Sequence, residues 1–385
     1  MANVMKQEIE LLFQPYTFKK GISLKNKIVM APMTTWASND DYTISDEEVA
    51  HYKARVKGLG MVITGCSRVL PNGIGFTHEF ASYDDSFIPS LKKLADAGKS
   101  GGAPAILQIY HAGNKAVSAL VPNGKVVSAS AIALGSTAFV ENLIPPRPLE
   151  HEEILAVIEA FGKATGRAID AGFDGIELHG AHGFLLQNFF SPVYNQRTDI
   201  WGGSLRNRMR FPLAVIQEIK RVISEKADRP FLLGYRISPE ESAESYTIND
   251  ILPFIDKLIE IEIDYLHVSL SDVLNALPIG KTDGKSIMEI ILEHVDGAVP
   301  VIAAGSIKQP EDAAKAIGLG LTSVAIGQAL IMNPNWLELA KADQPVEQSL
   351  DLSLANELAI PQKLAAMINM AEGWFTLTEK DESRS

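Results

Sequence analysis

The chain has 385 residues and one cysteine, Cys66. A lone thiol closes no internal disulfide and builds no cysteine zinc site. Nor can it ligate an iron–sulfur cluster, which takes about four thiolates. Redox chemistry, if present, therefore needs an organic cofactor. Long hydrophobic runs are also absent: no stretch reaches the roughly 18 apolar residues of a membrane-spanning helix, and residues 1–10 are too polar for a signal peptide. The expected setting is the cytoplasm, with no membrane partner. Basic residues are the minority, 35 Lys and Arg against 47 Asp and Glu, for a formal charge of −12. That balance repels nucleic acid and anionic lipid at long range.

What the chain does have is apolar content, 46% of residues, enough for one barrel-sized domain or two ordinary ones. Short runs rich in Val and Ile recur at 27–33, 61–67, 105–111, 174–180, 231–238, 264–270, 299–305 and 322–327. Helical patterns alternate with them. Ser45-Asp-Glu-Glu is a capping box ahead of a helix ending near Gly58. Another helix over 151–171 puts Ile154, Val157, Ile158, Phe161 and Ala168 on one face, with Gly172 as its stop. Continuously apolar strands alternating with helices imply a covered parallel sheet. Eight such units make an α/β fold of the (β/α)8 TIM-barrel type the economical reading, with a doubly wound open sheet as the runner-up. The segment 112–147 reads as a hairpin-bearing excursion after strand 3, around Val126-Val127. The barrel is expected over 1–345. A helical extension and tail over 346–385, charged and disordered from Glu379 to Ser385, is not an independent domain.

Barrel active sites lie at the C-terminal ends of the strands, and those ends are polar here. The first runs into Pro32-Met33-Thr34, the third carries Gln108, the fourth delivers His179 and His182, and the fifth carries Arg236. A guanidinium in an apolar strand needs an anionic or strongly accepting partner. Either an ion pair, to Glu177 or Glu241, or a bound ligand satisfies Arg236; Gln108 is open to the same two readings. Cys66 reads as a buried structural thiol or as a reactive one. Gly305-Ser306 and Gly327-Gln328 follow the last two strands, and Pro310 suits a first helical turn. Glycines there let backbone N–H groups approach a phosphate. With Arg236 and Gln108 they suggest a phosphorylated ring cofactor across the barrel mouth.

The dense run His179-Gly-Ala-His182-Gly-Phe-Leu-Leu-Gln continues through Phe190-Ser-Pro, Asn195-Gln-Arg-Thr-Asp199 and Gly202-Gly-Ser-Leu-Arg-Asn-Arg-Met-Arg-Phe211. Together with Ala31-Pro-Met33, Gln108, His111-Ala-Gly113, Arg236-Ile-Ser-Pro239 and Gly327, it resembles the old yellow enzyme family of FMN-dependent oxidoreductases over roughly residues 10–340. The resemblance implies non-covalent FMN, NADH or NADPH as hydride donor, and a small electrophile such as an α,β-unsaturated carbonyl as acceptor. It places Ala31, Pro32, Met33 and Thr34 beside the isoalloxazine, Cys66 and Gln108 near its edge, and Arg236 at N1 and O2. Gly305, Ser306, Gly327 and Gln328 would hold the phosphate. His179 and His182 would donate to a substrate oxygen beside Trp36 and Phe184.

Three departures accompany the resemblance. Phe184 stands where many relatives have the tyrosine that protonates the substrate, so a quinone, free flavin or oxygen becomes an alternative acceptor. Gln328 replaces an arginine at the phosphate, which implies weaker FMN retention. Thr34 occupies a position near N5 that often holds Cys or Thr. With one cysteine and no second nucleotide-binding region, the chain matches the short form, served by a diffusing nicotinamide. Other readings stand beside this one: a flavin-free phosphate-binding barrel lyase or isomerase using His179 and Glu177 as acid and base, and a flavoprotein that no longer turns over. For the two histidines alone, a metal site lacks a third ligand at fixed spacing, so no metal is expected, and satisfied structural histidines are the remaining option. The segment 336–354 offers a surface for a homo-oligomer.

Overall fold

The computed structural model describes residues 7–134 and 144–378. The apolar runs pair side by side as eight parallel strands: β1 (Ile28–Met30), β2 (Met61–Arg68), β3 (Ala105–Tyr110), β4 (Gly175–Gly180), β5 (Leu232–Ile237), β6 (Tyr265–Ser269), β7 (Val301–Ala304) and β8 (Ser323–Ile326). They follow chain order around a closed barrel, with β8 pairing β1. All eight sequence runs become strands. The first stops early because Pro32 has no N–H for the ladder, which frees 31–36 to cross the barrel mouth.

Helices cover the outside: α1 (Asp46–Arg55), α2 (Ile88–Lys99), α3 (His151–Asp170), α4 (Arg210–Lys226), α5 (Ile248–Glu260), α6 (Ile287–Val295) and α7 (Pro310–Gly318), with short helices after β8. Their starts follow the sequence signals. Ser45 Oγ accepts the Glu48 N–H at 3.1 Å, and Pro310 occupies the first turn of α7. Helix α3 buries Ile154, Val157, Phe161 and Ala168 against the sheet.

Inside the barrel, Val29, Met61, Ile63, Ile106, Leu232, Ile302 and Ala325 form an apolar plug. Phe18, which follows the short strand Tyr16–Thr17, and Leu24, from its antiparallel partner Ser23–Leu24, close its N-terminal end. The charged side chains Glu177 of β4 and Arg236 of β5 lie beyond this plug, toward the C-terminal mouth.

The excursion differs from expectation. Val127–Ser128 and Arg147–Pro148 pair in parallel, not as a hairpin. A parallel pair cannot be joined by a tight turn, and the long connection includes 135–143, outside the described residues. The tail from Glu379 to Ser385 also lies outside them. Before it, residues 371–378 fold back on the C-terminal segment itself, where Leu350 and Thr376 share a backbone hydrogen bond of 2.8 Å, and reach the barrel, where Trp374 O accepts from Gln328 Nε2 at 2.5 Å. Leu364, Ile368 and Phe375 pack with Trp36 and Ile331 from the barrel. Trp336 is fully buried within the chain, its indole N–H on Lys308 O at 2.8 Å, so it is not available to a neighbour. Among the described residues, no helix is long and apolar enough to cross a membrane.

Candidate active site

Strand register assembles a polar layer directly above the apolar plug. Gln108 pairs with Glu177 across β3 and β4, His179 with Arg236 across β4 and β5, and Arg236 with His267 across β5 and β6. Glu177 is fully buried, accepts from Gln108 Nε2 at 2.8 Å and lies 2.9 Å from His267 Nδ1. Burial pushes its carboxyl upward, but His267, Arg236 and the Gln108 hydrogen bond outweigh that and hold it below the usual carboxylate range. A carboxylate only accepts, so it fixes the Gln108 amide with nitrogen inward and leaves Oε1 as an acceptor for the mouth. Burial likewise holds His267 in its neutral form, against the opposing pull of Glu177.

Arg236 makes neither of the ion pairs open to it from sequence. Glu177 is engaged as described, and Glu241 is taken by Gln187 Nε2 at 2.9 Å and by the hydroxyls of Ser191 and Ser245. The guanidinium spends Nη2 on Ser269 Oγ at 3.2 Å, while its buried Nε has no partner. An unspent N–H on a buried cation at the mouth calls for an acceptor.

The two histidines sit beside it with ring centroids 5.0 Å apart. His182 adopts a left-handed backbone, φ 58°, which turns the chain from β4 back over the mouth. Its N–H donates to Ser238 Oγ at 3.0 Å, its carbonyl accepts from Lys115 Nζ at 2.5 Å, and its Nε2 lies 2.8 Å from Ser269 Oγ. The Nδ1 of His179 accepts the Ala181 N–H at 3.4 Å, so in the neutral ring the proton is on Nε2. Burial, and then His182 and Arg236, push the buried His179 well below its ordinary range; His182 is exposed as a residue, but protein packed around its ring, with the charges of Arg236 and Lys115, shifts it in the same direction. Both are neutral donors near pH 7. Phe184 packs edge-on against His179 at 4.8 Å and Tyr110 at 4.9 Å.

Two adjoining cavities open at this mouth. One, of about 340 Å3, is lined by Ala31, Pro32, Met33, Arg236, Gly305, Ser306, Gly327 and Gln328. The other, of about 230 Å3, is lined by Pro32, Met33, Thr34, Trp36, Cys66, Gln108, His179, His182, Phe184 and Arg236. Every residue that the resemblance assigns to flavin or substrate thus borders one or both. A larger groove of about 720 Å3 lies at the opposite end of the barrel, by Tyr16 and Pro300, away from these groups. Glu177 borders neither mouth cavity, which removes it as an acid–base partner for a ligand there. Cys66 lies 3.9 Å from Thr34 Oγ1. Burial, reinforced by Glu79, pushes its thiol up, which favours the protonated form.

At Gly305 a Cβ would sit 2.2 Å from Leu270 O, so only glycine fits where β7 turns. Several lining residues escape the sequence reading. Ser269 ends β6 and was within reach of a search of strand ends. Lys308 brings a cation to the 340 Å3 cavity that carries Gln328. Phe76 and Trp374 wall the smaller cavity, and Trp374, whose carbonyl accepts from Gln328 Nε2 at 2.5 Å, gives no local signal.

A model of the NADH:flavin oxidoreductase / NADH oxidase family matches residues 11–347. The "probable NADH-dependent flavin oxidoreductase YqiG" of Bacillus subtilis is 42% identical over 373 residues, 96% of this chain and 99% of the relative. The NADH:fumarate oxidoreductase of Klebsiella pneumoniae is 37% identical over 359 residues, 92% of this chain but 38% of that longer protein. Among solved structures, morphinone reductase superposes with a TM-score of 0.75 at 24% identity, covering 88% of this chain and 91% of that one, a likeness of fold. The chain belongs to the NADH:flavin oxidoreductase / NADH oxidase family, the old yellow enzyme family, as an NAD(P)H-dependent flavin oxidoreductase whose cofactor is FMN.

Proposed function

We propose that the two mouth cavities hold FMN and, beside it, a small planar electrophile that His179 and His182 polarise. The observation that carries this reading is the donor set at their shared wall. Arg236 has an unspent N–H, Gln108 presents an oxygen, and both histidines are neutral and adjacent. Such a set fits a flavin pyrimidine edge, which offers ring nitrogen and carbonyl acceptors next to a ring N–H. Lys308, Gly305, Ser306 and Gly327 border the part of the larger cavity suited to a phosphate. When bound, FMN supplies two-electron chemistry, taking a hydride from NADH or NADPH and passing it to the acceptor. Arg236 places a fixed positive charge where negative charge develops, and His179 donates Nε2–H to the acceptor oxygen.

The smaller cavity is walled by Trp36, Phe76, Phe184 and Trp374. Trp36 meets Phe76 and Trp374 edge-on at 5.4 and 5.9 Å. Flat, weakly polar acceptors fit such walls better than small carboxylates. Phe184 has no proton to give, which favours a second reading of the acceptor: a quinone or flavin, whose reduction protonates heteroatoms instead of carbon. The match to the fumarate enzyme does not argue against it, because most of that protein has no counterpart in this chain.

Purified protein is expected to be yellow and to bleach with NADH or NADPH without oxygen. A preparation that stays colourless after incubation with FMN would sink the reading. Enones, nitroalkenes and quinones offered to the reduced enzyme then separate the acceptors, with kcat/KM highest for quinones if the missing donor decides.

A further inference from the structure

We propose that Ser269 sets the tautomer of His182, so that the imidazole presents Nδ1–H to the acceptor while Arg236 anchors the serine. The inference rests on the reading above that His182 faces the acceptor, and it names a positioning residue for that contact.

Ser269 is the last residue of β6. Its hydroxyl has one proton and two acceptor lone pairs. Arg236 can only donate, and its Nη2, 3.2 Å away, takes one lone pair. The other hydrogen-bond neighbour of this hydroxyl among the described residues is His182 Nε2 at 2.8 Å. Of these two neighbours only the imidazole nitrogen can accept, so the serine proton goes there. A neutral imidazole that accepts at Nε2 carries its proton on Nδ1. The reverse arrangement would direct two donors at Oγ and leave the serine proton to solvent, with no acceptor among its neighbours in the described residues.

The backbone that carries the ring is held in place. The His182 main chain is held on both sides, by Ser238 at its N–H and Lys115 at its carbonyl, in a left-handed conformation that only the surrounding contacts keep favourable for a non-glycine residue. His179 reaches the opposite tautomer through its own backbone, by accepting the Ala181 N–H on Nδ1. Two adjacent histidines thus donate through different ring nitrogens. Only the second of these choices depends on the side chain of another strand.

The test is a long-range ¹⁵N–¹H correlation spectrum of the oxidised holoenzyme, with the His182 signals identified by their loss in His182→Asn. The wild type is expected to show Nδ1–H at His182. Ser269→Ala is expected to shift that ring to Nε2–H or a mixture, and Ser269→Thr, which keeps a hydroxyl, to restore Nδ1–H. Affinity for 4-chlorophenol, a probe whose oxygen mimics the acceptor's, should fall about tenfold in Ser269→Ala and stay within about twofold in Ser269→Thr. Nε2–H in the wild type, or an unchanged tautomer in Ser269→Ala, overturns the inference. The expected tautomers with no phenol binding in the wild type would leave the serine's role standing and defeat the proposed acceptor site instead.

Discussion

At the scale of single residues, the site is decided by which polar groups are already engaged. Arg236 was open to an ion pair from sequence, and only cross-strand packing shows Glu177 and Glu241 engaged elsewhere. His179, His182 and Gln108 were legible because they end or interrupt apolar strands. The Glu177–His267 pair was not, because it joins residues 90 positions apart. Phe184 was also legible, and it carries a prediction. Its ring packs on His179 and Tyr110, so Phe184→Tyr adds a hydroxyl at the cavity wall with little repacking. Carbon protonation by a positioned acid contributes about 10²–10⁴-fold; enone reduction should therefore rise at least tenfold, with flavin reduction by NADH unchanged in stopped flow. An unchanged enone rate would mean protonation comes from elsewhere.

A second residue-scale prediction concerns Glu48, buried under the mouth loop. Thr35 donates to one carboxyl oxygen, and the other has no partner. Burial outweighs the Thr35 hydrogen bond and raises the carboxyl to about 7. A carboxyl raised in the folded state binds its proton more tightly there than in the unfolded chain. Its contribution is therefore fully present below the unfolded value near 4.5 and is lost as pH climbs through about 7. Glu48→Gln, which cannot ionise, should match the wild type near pH 5 and exceed it by on the order of 2–3 kcal/mol at pH 8 in urea melts. Parallel stability curves for the two proteins between those pH values would show that Glu48 does not titrate in this window.

Among elements, the eight strands were readable because a parallel barrel buries both faces of each, leaving continuous apolar runs. The excursion pairs in parallel where its local pattern suggests a hairpin, because pairing direction depends on a long connection. The return of residues 371–378 to the mouth was invisible for a similar reason. Its anchors, Gln328 to Trp374 and Leu350 to Thr376, are long-range contacts with no periodic signature. Gln328 also ties the C-terminal segment to the rim of the larger cavity. Lys308 on that rim supplies one cation already. Gln328→Arg adds a second and should slow FMN dissociation several-fold, since each good charge-assisted contact is worth about 1.5–3 kcal/mol before screening. FMN release measured by fluorescence checks this; an identical off-rate would show that residue 328 serves only the C-terminal segment.

Over the whole molecule, the buried cluster of the C-terminal segment is shared with the barrel. Leu364, Ile368 and Phe375 bury themselves against Trp36, Ile331 and Met332 of the barrel, and Arg55 of α1 donates to the carbonyls of both Leu330 and Leu358. Arg55 is itself buried, and burial pulls its guanidinium down to about 9. A buried cation held only by carbonyls on both segments penalises any state in which they separate. Barrel and extension should therefore unfold in one transition, in contrast to a two-domain chain. Trp36 and Trp374 lie at the junction, while most backbone signal comes from the barrel, so tryptophan fluorescence and far-ultraviolet circular dichroism should give coincident urea curves. Saturating FMN should move both together, as binding to the native state alone requires. A fluorescence transition at lower urea than the dichroism transition would make the extension a separately melting unit. The aromatic wall built on Trp374 would then be lost while the barrel and its histidines remained folded.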